Sequence, residues 1–478
     1  MNKVVQEKLS GTPQYSRRAI LRGALLMSGA YTATLLAACQ PAGQSGASAT
    51  PAGGNAAGGA STAAATVRVW GYGLDDARAK ARLATLQKNN SNITISPVGG
   101  DLNTQQLLTA VASGDPPEVV NVDRVETGSW AGRGAIDPID DLVSRDSFDL
   151  GQFYPILIEQ VKYNGKLYGI PQFVNVDLIY MNLDVFKEVD VDPASVDPGN
   201  WDQLQQLGEK LYKMSDGKVV RTGFDTKIQD SRLWLWSWAN GTDLIDRKTN
   251  KANFTDPKVI EALAWGKATV DKQGGEQARA AFAQAQNFFS AQNPVLIGQT
   301  AMTVFEQWLI GVLKVNPKAN FRAMLPRVRN SKDTLTDATG SAFAIPRGIK
   351  DAKRDAAWTF IKGTTSSEAW IAGEQATAAD NKTNGQPYHP TITGNSVADQ
   401  EAWTKIYQSI SPGYDEAVKL FPEAIKAARY RYSGPVAAQI AEAMTAAVND
   451  ALQGAKTPEQ AMADLQKKAQ QTIDEFQA

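Results

Sequence analysis

Cysteine and histidine are almost missing from this sequence: its 478 residues include one of each, Cys39 and His389. A single cysteine cannot close a disulfide within the chain, and so thin a ligand set excludes the usual zinc sites. No His-Glu-x-x-His motif is possible with one histidine, and no GxxxxGK[ST] loop, post-strand GxGxxG turn or GxSxG elbow occurs. His389, in Gln-Pro-Tyr-His-Pro, reads as a loop residue beside two prolines rather than a catalytic base. An excess of one charge is lacking too. With 49 basic and 50 acidic residues the chain has no nucleic-acid footprint. Long apolar runs are scarce: the one at residues 24–38 is short for a membrane span and contains Ser28, Tyr31, Thr32 and Thr34. No cofactor or metal is expected.

The lone cysteine sits where its flanks explain it. Leu36-Ala37-Ala38-Cys39 resembles the lipobox of bacterial lipoproteins, in which small residues fit a signal peptidase and the cysteine takes acyl chains. Upstream, Arg17-Arg18 followed by apolar residues resembles a twin-arginine export signal. Residues 1–39 are therefore expected to be a signal peptide. General secretion with a coincidental arginine pair, or an uncleaved anchor, would equally put the chain outside the cytoplasm. Beyond Cys39 the chain has 44 basic and 49 acidic residues, a net charge near −5.

Residues 40–66 hold no charged residue and almost nothing but Ala, Gly, Ser, Thr and Pro. That composition cannot bury a core and reads as a flexible tether with a reach of about 25–30 Å. After it, strand-like "VRVWGYG", "NITISPV" and "EVVNVD" alternate with helix-like segments, which is an α/β pattern with largely parallel strands. Roughly 440 residues exceed one core, so two domains are expected. Asn200 with Gln203, and Thr457 with Pro458 and Gln460, mark helix starts. Val436, Ile440, Met444 and Val448 form a core stripe on the first of two C-terminal helices.

Five segments in order resemble the extracellular solute-binding proteins of bacterial ABC importers, the family that includes maltose-binding protein. They are "SGDPPEVVNVD", "GRGAIDPIDDLV", "YNGKLYGIPQFVNVDLIYMNLDVFKEV", "IGQTAMTVFEQW" and "GSAFAIPRGIKDAKRDAAWTFIKGTTS". The resemblance implies a two-lobed α/β fold with crossed-over hinge strands and a ligand in the interlobe cleft. It places crossings near residues 176–181, 301–305 and 342–346. Lobe I is then 67–178 with 304–344, and lobe II is 179–303 with 345–478.

It also implies a non-enzyme: a monomeric lipoprotein, anchored through Cys39 on the outer face of the cytoplasmic membrane, that hands a small molecule to ABC permease subunits. A carbohydrate is the expected ligand. Glycerophosphate, a polyamine or, in another class, a glycoside hydrolase activity are the alternatives. Sugar recognition wants flat aromatic faces and planar polar groups. Trp308 matches the family's stacking tryptophan. Asp123, Glu126, Asn175, Tyr72 and Asp230 are expected to hydrogen-bond, Gly340 and Ser341 to offer backbone N–H groups, and Tyr388 to add a contact from lobe II. Of Trp234, Trp236 and Trp238, one helical face is expected in the core and another toward the cleft. Trp70, Trp265, Trp358 and Trp370 are expected in the core.

Overall fold

A computed structural model describes residues 65–100 and 102–477. The expected export signal at Arg17 and Arg18, Cys39 and nearly all of the expected tether lie outside the described residues.

Two sheets organise the chain. The first has the strand order Ile93–Val98, Ala65–Trp70, Val119–Asp123, Ser341–Ala344, Ile170–Pro171. Its first three strands are parallel, and the strand Ser341–Ala344, which arrives from a distant part of the chain, runs antiparallel to both of its neighbours. The helix Ala77–Asn89 starts at Asp76, whose carboxylate accepts from the Ala79 amide at 2.7 Å. That helix packs with Asp351–Thr365 and Ser367–Thr383 on this sheet.

The second sheet centres on the strand Asn175–Asn182. Thr300–Glu306, Phe321–Met324 and Thr336–Thr339 all pair with it antiparallel, and Lys218–Asp225 lies parallel beside Thr300–Glu306. Every residue from Val176 to Asn182 is buried. Side chains alternate across a strand, so Val176, Leu178 and Tyr180 join the core on one face while Ile179 and Met181 join the core on the other. A strand covered on both faces needs apolar residues at both phases, which explains the run "VDLIYM".

The two C-terminal helices, Ala437–Leu452 and Pro458–Gln477, close one face of this second lobe. Their stripe of Val436, Ile440, Met444 and Val448 is buried as expected. The capping box at Thr457 is complete: its hydroxyl accepts from the Gln460 amide at 3.2 Å, and the Gln460 side chain accepts from the Thr457 amide at 3.1 Å. At Asn200 only half of that arrangement forms, because the Gln203 carboxamide accepts from Asp197 instead.

The lobe boundaries differ from those expected. The first passage between sheets lies at residues 172–175, ahead of the expected 176–181. Residues 301–305 do not cross; they belong wholly to the second sheet. The second passage is at Gly340, between the strands Thr336–Thr339 and Ser341–Ala344. Thus 304–339 belongs to lobe II, and 345–383 to lobe I. The physical reason is that pairing partners decide lobe membership, and a strand's own periodicity does not name its partner. A further passage, through residues 384–411, returns the chain to lobe II, where Pro412–Lys419 packs on Phe321–Met324. Gly340 has φ +122°, and a Cβ there would meet the Phe173 carbonyl oxygen at 2.5 Å, so the two passages touch only because the residue is glycine.

Candidate functional site

Where the strand Val119–Asp123 ends, its last residue becomes a cap. The Asp123 carboxylate accepts from the Val125 amide at 3.2 Å and opens a short turn, Arg124–Glu126. The turn aims Asp123 and Glu126 into a cavity of about 470 Å³ between the lobes. Asn121, Gly340 and Ser341 border the same cavity from lobe I and the second passage. Lobe II contributes Asn175, Arg232, Glu306, Thr339 and Arg431.

A second cavity, of about 450 Å³, adjoins it; Gly71, Asn121, Phe173 and Asn175 border both. Its walls are more aromatic: Tyr72 and Trp370 from lobe I, and Trp308 from lobe II. Arg82 also lines it, its guanidinium 3.6 Å from the centroid of the Trp370 ring, a cation–π contact. Burial lowers the Arg82 pKa to about 10.

Glu306 ties the two cavities together. Its carboxylate accepts from the Asn175 amide group at 3.2 Å, from the Thr339 hydroxyl at 2.9 Å and from the Trp308 indole N–H. Arg232 stands 3.8 Å away. Trp308 is half-buried, and Phe305 supports it edge-on at 5.0 Å. The indole is therefore oriented by a hydrogen bond at one edge and by packing at another.

Charges in the first cavity are mostly matched. Arg232 pairs with Asp177 at 2.9 Å and Arg431 with Asp337 at 2.5 Å. Burial works against the Arg232 charge, but the Asp177 carboxylate outweighs it and the pKa rises. Asp337 is fully buried, which pushes its carboxyl up to about 6 despite Arg431. Asp123 and Glu126 are less well compensated. Asp123 is reachable from the cleft yet walled by protein, so desolvation raises its pKa against the pull of Arg124 and Arg431. Desolvation and then the Asp123 charge raise that of Glu126, which the Trp130 indole N–H at 3.1 Å offsets in part.

Behind the turn, Arg124 is fully buried. It donates to the Gln160 side chain at 2.8 Å and to the carbonyls of Phe173, Thr339 and Ser341. Burial lowers its pKa to about 10. One guanidinium thus holds both passages, beside the two cleft carboxylates.

Of the residues chosen from sequence, Asp123, Glu126, Asn175, Gly340 and Ser341 meet at the first cavity, and Tyr72, Asn175 and Trp308 at the second. Tyr72 is 6% exposed and packs edge-on against Phe343 and Phe360; its buried hydroxyl has no partner among the described residues. Gly340 uses its carbonyl to accept from the Arg124 amide. Two choices fall elsewhere. Asp230 lines neither cavity and points to Lys227 at 3.5 Å, because Ser231 turns left-handed and breaks the backbone there. Tyr388 lies outside the cleft and donates to the buried Glu374 at 2.7 Å. Trp234, Trp236 and Trp238 are all buried in lobe II, so neither face of their helix looks into the cleft. Trp370 is buried as expected but also borders the second cavity, and Trp70 is only half-buried.

Glu306, Arg232, Arg431, Asn121, Arg82 and Trp370 were not chosen from sequence. Only Glu306 left a local signal, two residues before Trp308 in "VFEQW".

Residues 70–378 match the family model of the bacterial extracellular solute-binding proteins. A maltotriose-binding protein of Pyrococcus abyssi is 23% identical over 262 residues, 55% of this chain and 53% of its own length. An arabinooligosaccharide-binding protein of Bacillus subtilis is 21% identical over 269 residues, 55% of this chain and 59% of its own. The chain thus spans little more than half the length of these curated relatives. In fold, a solved structure of CpMnBP1 with mannobiose bound has a TM-score of 0.69 at 24% identity, covering 85% of this chain and all of that one. The two-lobed architecture is that of solved sugar-binding proteins of this type.

Proposed function

Because the chain belongs to the family of bacterial extracellular solute-binding proteins, we propose that it captures a carbohydrate, a mono- to oligosaccharide, and delivers it to an ABC transporter. The observation that carries this reading is the opposition of Trp308 on one lobe to Asn121, Asp123 and Glu126 on the other, across two joined cavities. An indole face suits the apolar side of a pyranose, and carboxylate and carboxamide groups suit its hydroxyls. The two arginines of the first cavity are already paired with Asp177 and Asp337. An anionic ligand such as glycerophosphate gains little from cations so matched, and Arg82 in the second cavity already donates to the Thr364 carbonyl and the Gln172 side chain, which favours a neutral sugar.

In this reading the chain binds without turnover. Cys39 carries the lipid, Arg17 and Arg18 form the export signal, and residues 40–64, ahead of the strand that begins at Ala65, tether the folded body to the outer face of the cytoplasmic membrane. Equilibrium dialysis against a panel of neutral oligosaccharides, glycerophosphate and spermidine tests it, with mass spectrometry of the recovered ligand. Stoichiometric uptake of an unchanged sugar is expected. Cleavage products would make the protein an enzyme, and selective uptake of glycerophosphate or spermidine would overturn the carbohydrate reading.

A further inference from the structure

Trp308 does not end the aromatic surface of lobe II. Phe289 lies beside it with ring centroids 6.2 Å apart and planes parallel to within 4°. Phe289 is 68% exposed, the most exposed large hydrophobic side chain among the described residues. The other members of its cluster, Phe288, Phe305 and Trp308, are half-buried. A ring left this open loses the hydrophobic gain of burial, and with Phe288, Phe305 and Trp308 it makes one contiguous aromatic surface, the kind of patch that marks contact sites.

The ring stands on a braced loop. Phe288 meets Phe289 edge-on at 5.1 Å and Phe305 at 4.9 Å. Asn293, wholly buried, donates to the Phe288 carbonyl at 2.7 Å and accepts from the Val295 amide at 2.9 Å. Asn182, at the end of the central strand, donates to the Val295 carbonyl at 2.6 Å. The loop is thus tied to the sheet that bears the cleft, and it presents a flat apolar face next to the Trp308 indole.

We propose that Phe289 forms an outer sugar subsite that continues the Trp308 surface, so that the preferred ligand is an oligosaccharide of three or more units. The inference rests on the carbohydrate reading above. The two cavities, each in the size range of small-ligand sites, take the first units. The next unit leaves the second cavity past Trp308 and lies on Phe289. Its apolar face covers the ring while its hydroxyls stay in water, so the contact needs no further polar group from the protein.

Isothermal titration of the full-length protein with two ladders, glucose to maltohexaose and mannose to mannohexaose, tests this. Wild-type affinity should rise with length beyond the disaccharide. Phe289→Ala should lower affinity about three- to tenfold for trimers and longer and leave mono- and disaccharides unchanged. Phe289→Trp should keep or strengthen the long-chain preference. Because the ring is exposed, the thermal midpoints of both variants should match wild type. Equal loss at every length, or none at any, overturns the outer subsite while the carbohydrate reading stands. Failure of the wild type to bind any member of either ladder overturns the outer subsite, and if the dialysis panel of neutral oligosaccharides also yields no uptake, the carbohydrate reading falls with it.

Discussion

Arg124 donates through Nη1 to the carbonyl oxygen of Ser341 at 2.9 Å, joining the turn that bears Asp123 and Glu126 to the second passage between the lobes. The same side chain holds Phe173 in the first passage. The cleft carboxylates on the turn and the two passages between the sheets therefore share one buried group. Arg124→Met should take a donor from the Gln160 side chain and from the carbonyls of Phe173 and Thr339, at about 1–3 kcal/mol for each group left unpaired, partly offset by relief of a buried charge, while the Ser341 carbonyl keeps the Gln172 amide at 2.8 Å. Differential scanning calorimetry should show a clearly lowered midpoint, and small-angle scattering without ligand should show a broader spread of particle sizes. A variant that melts and scatters like wild type would mean the guanidinium holds nothing.

Trp308→Ala should cost about 1–3 kcal/mol of binding, roughly ten- to two-hundredfold in affinity for the bound sugar. Its fold should survive, since the indole is only half-buried at the cleft. A core tryptophan would instead lose about 3–5 kcal/mol of stability on truncation. Ligand-induced change in tryptophan fluorescence should shrink in the variant. A large fall in melting temperature with unchanged affinity would make Trp308 a structural residue.

Asp337 offers a pH test. Burial raises its carboxyl to about 6, above the ordinary value near 4. Between those values the folded protein keeps a proton that the unfolded chain has released. Stability from this group is complete below about pH 4 and is lost as pH rises through about 6. The groups that act on it are Arg431, Arg232 and Asp177. Urea melts of wild type and Asp337→Asn from pH 4 to 7 isolate the effect, because the asparagine cannot titrate. The difference in stability between the two should change across that window. A constant difference would show that Asp337 keeps one charge state throughout.

Cys39→Ala should leave a folded protein without a lipid. A buried acyl chain contributes about 0.8 kcal/mol per CH₂, and stable anchoring takes more than one chain or signal. Palmitate labelling should vanish and the protein should move to the soluble fraction; equal labelling of the variant would remove Cys39 as the attachment site. Arg17→Lys with Arg18→Lys keeps the charge but removes the arginine pair, so export should stop. Normal export of that double variant would instead fit general secretion.

How far the site was legible depended on how each residue comes to it. Asp123 ends a strand, Asn175 begins one and Trp308 follows one by two residues, all inside recognisable segments, so their positions followed from local pattern. Arg431 comes from just beyond the short strand Ala428–Arg429, and Trp370 from a helix far along the chain; only folding brings them to the cleft. The strand Thr300–Glu306 has the alternation of any buried strand, and nothing within it says which sheet it joins. Asp230 and Tyr388 were chosen by their neighbours in sequence. A left-handed Ser231 and a buried Glu374 carboxylate, respectively, took them elsewhere. The C-terminal helices were legible because a four-residue stripe and a capping box are complete local statements.

The position of the strand Ser341–Ala344 between Val119–Asp123 and Ile170–Pro171 also sets a timetable for synthesis. When residue 171 leaves the ribosome, the first sheet still lacks the strand that links its two halves, and the helices of residues 351–383 that cover it. At about 5–20 residues per second the chain must wait on the order of ten seconds or more for them. Through that interval the core around Val120, Val122 and Ile170 lacks Phe343, Trp358 and Phe360, which pack in the same cluster. A chain stopped before residue 341 therefore lacks both the strand that links the first sheet and the C-terminal helices of the second lobe, and completes neither half of the molecule.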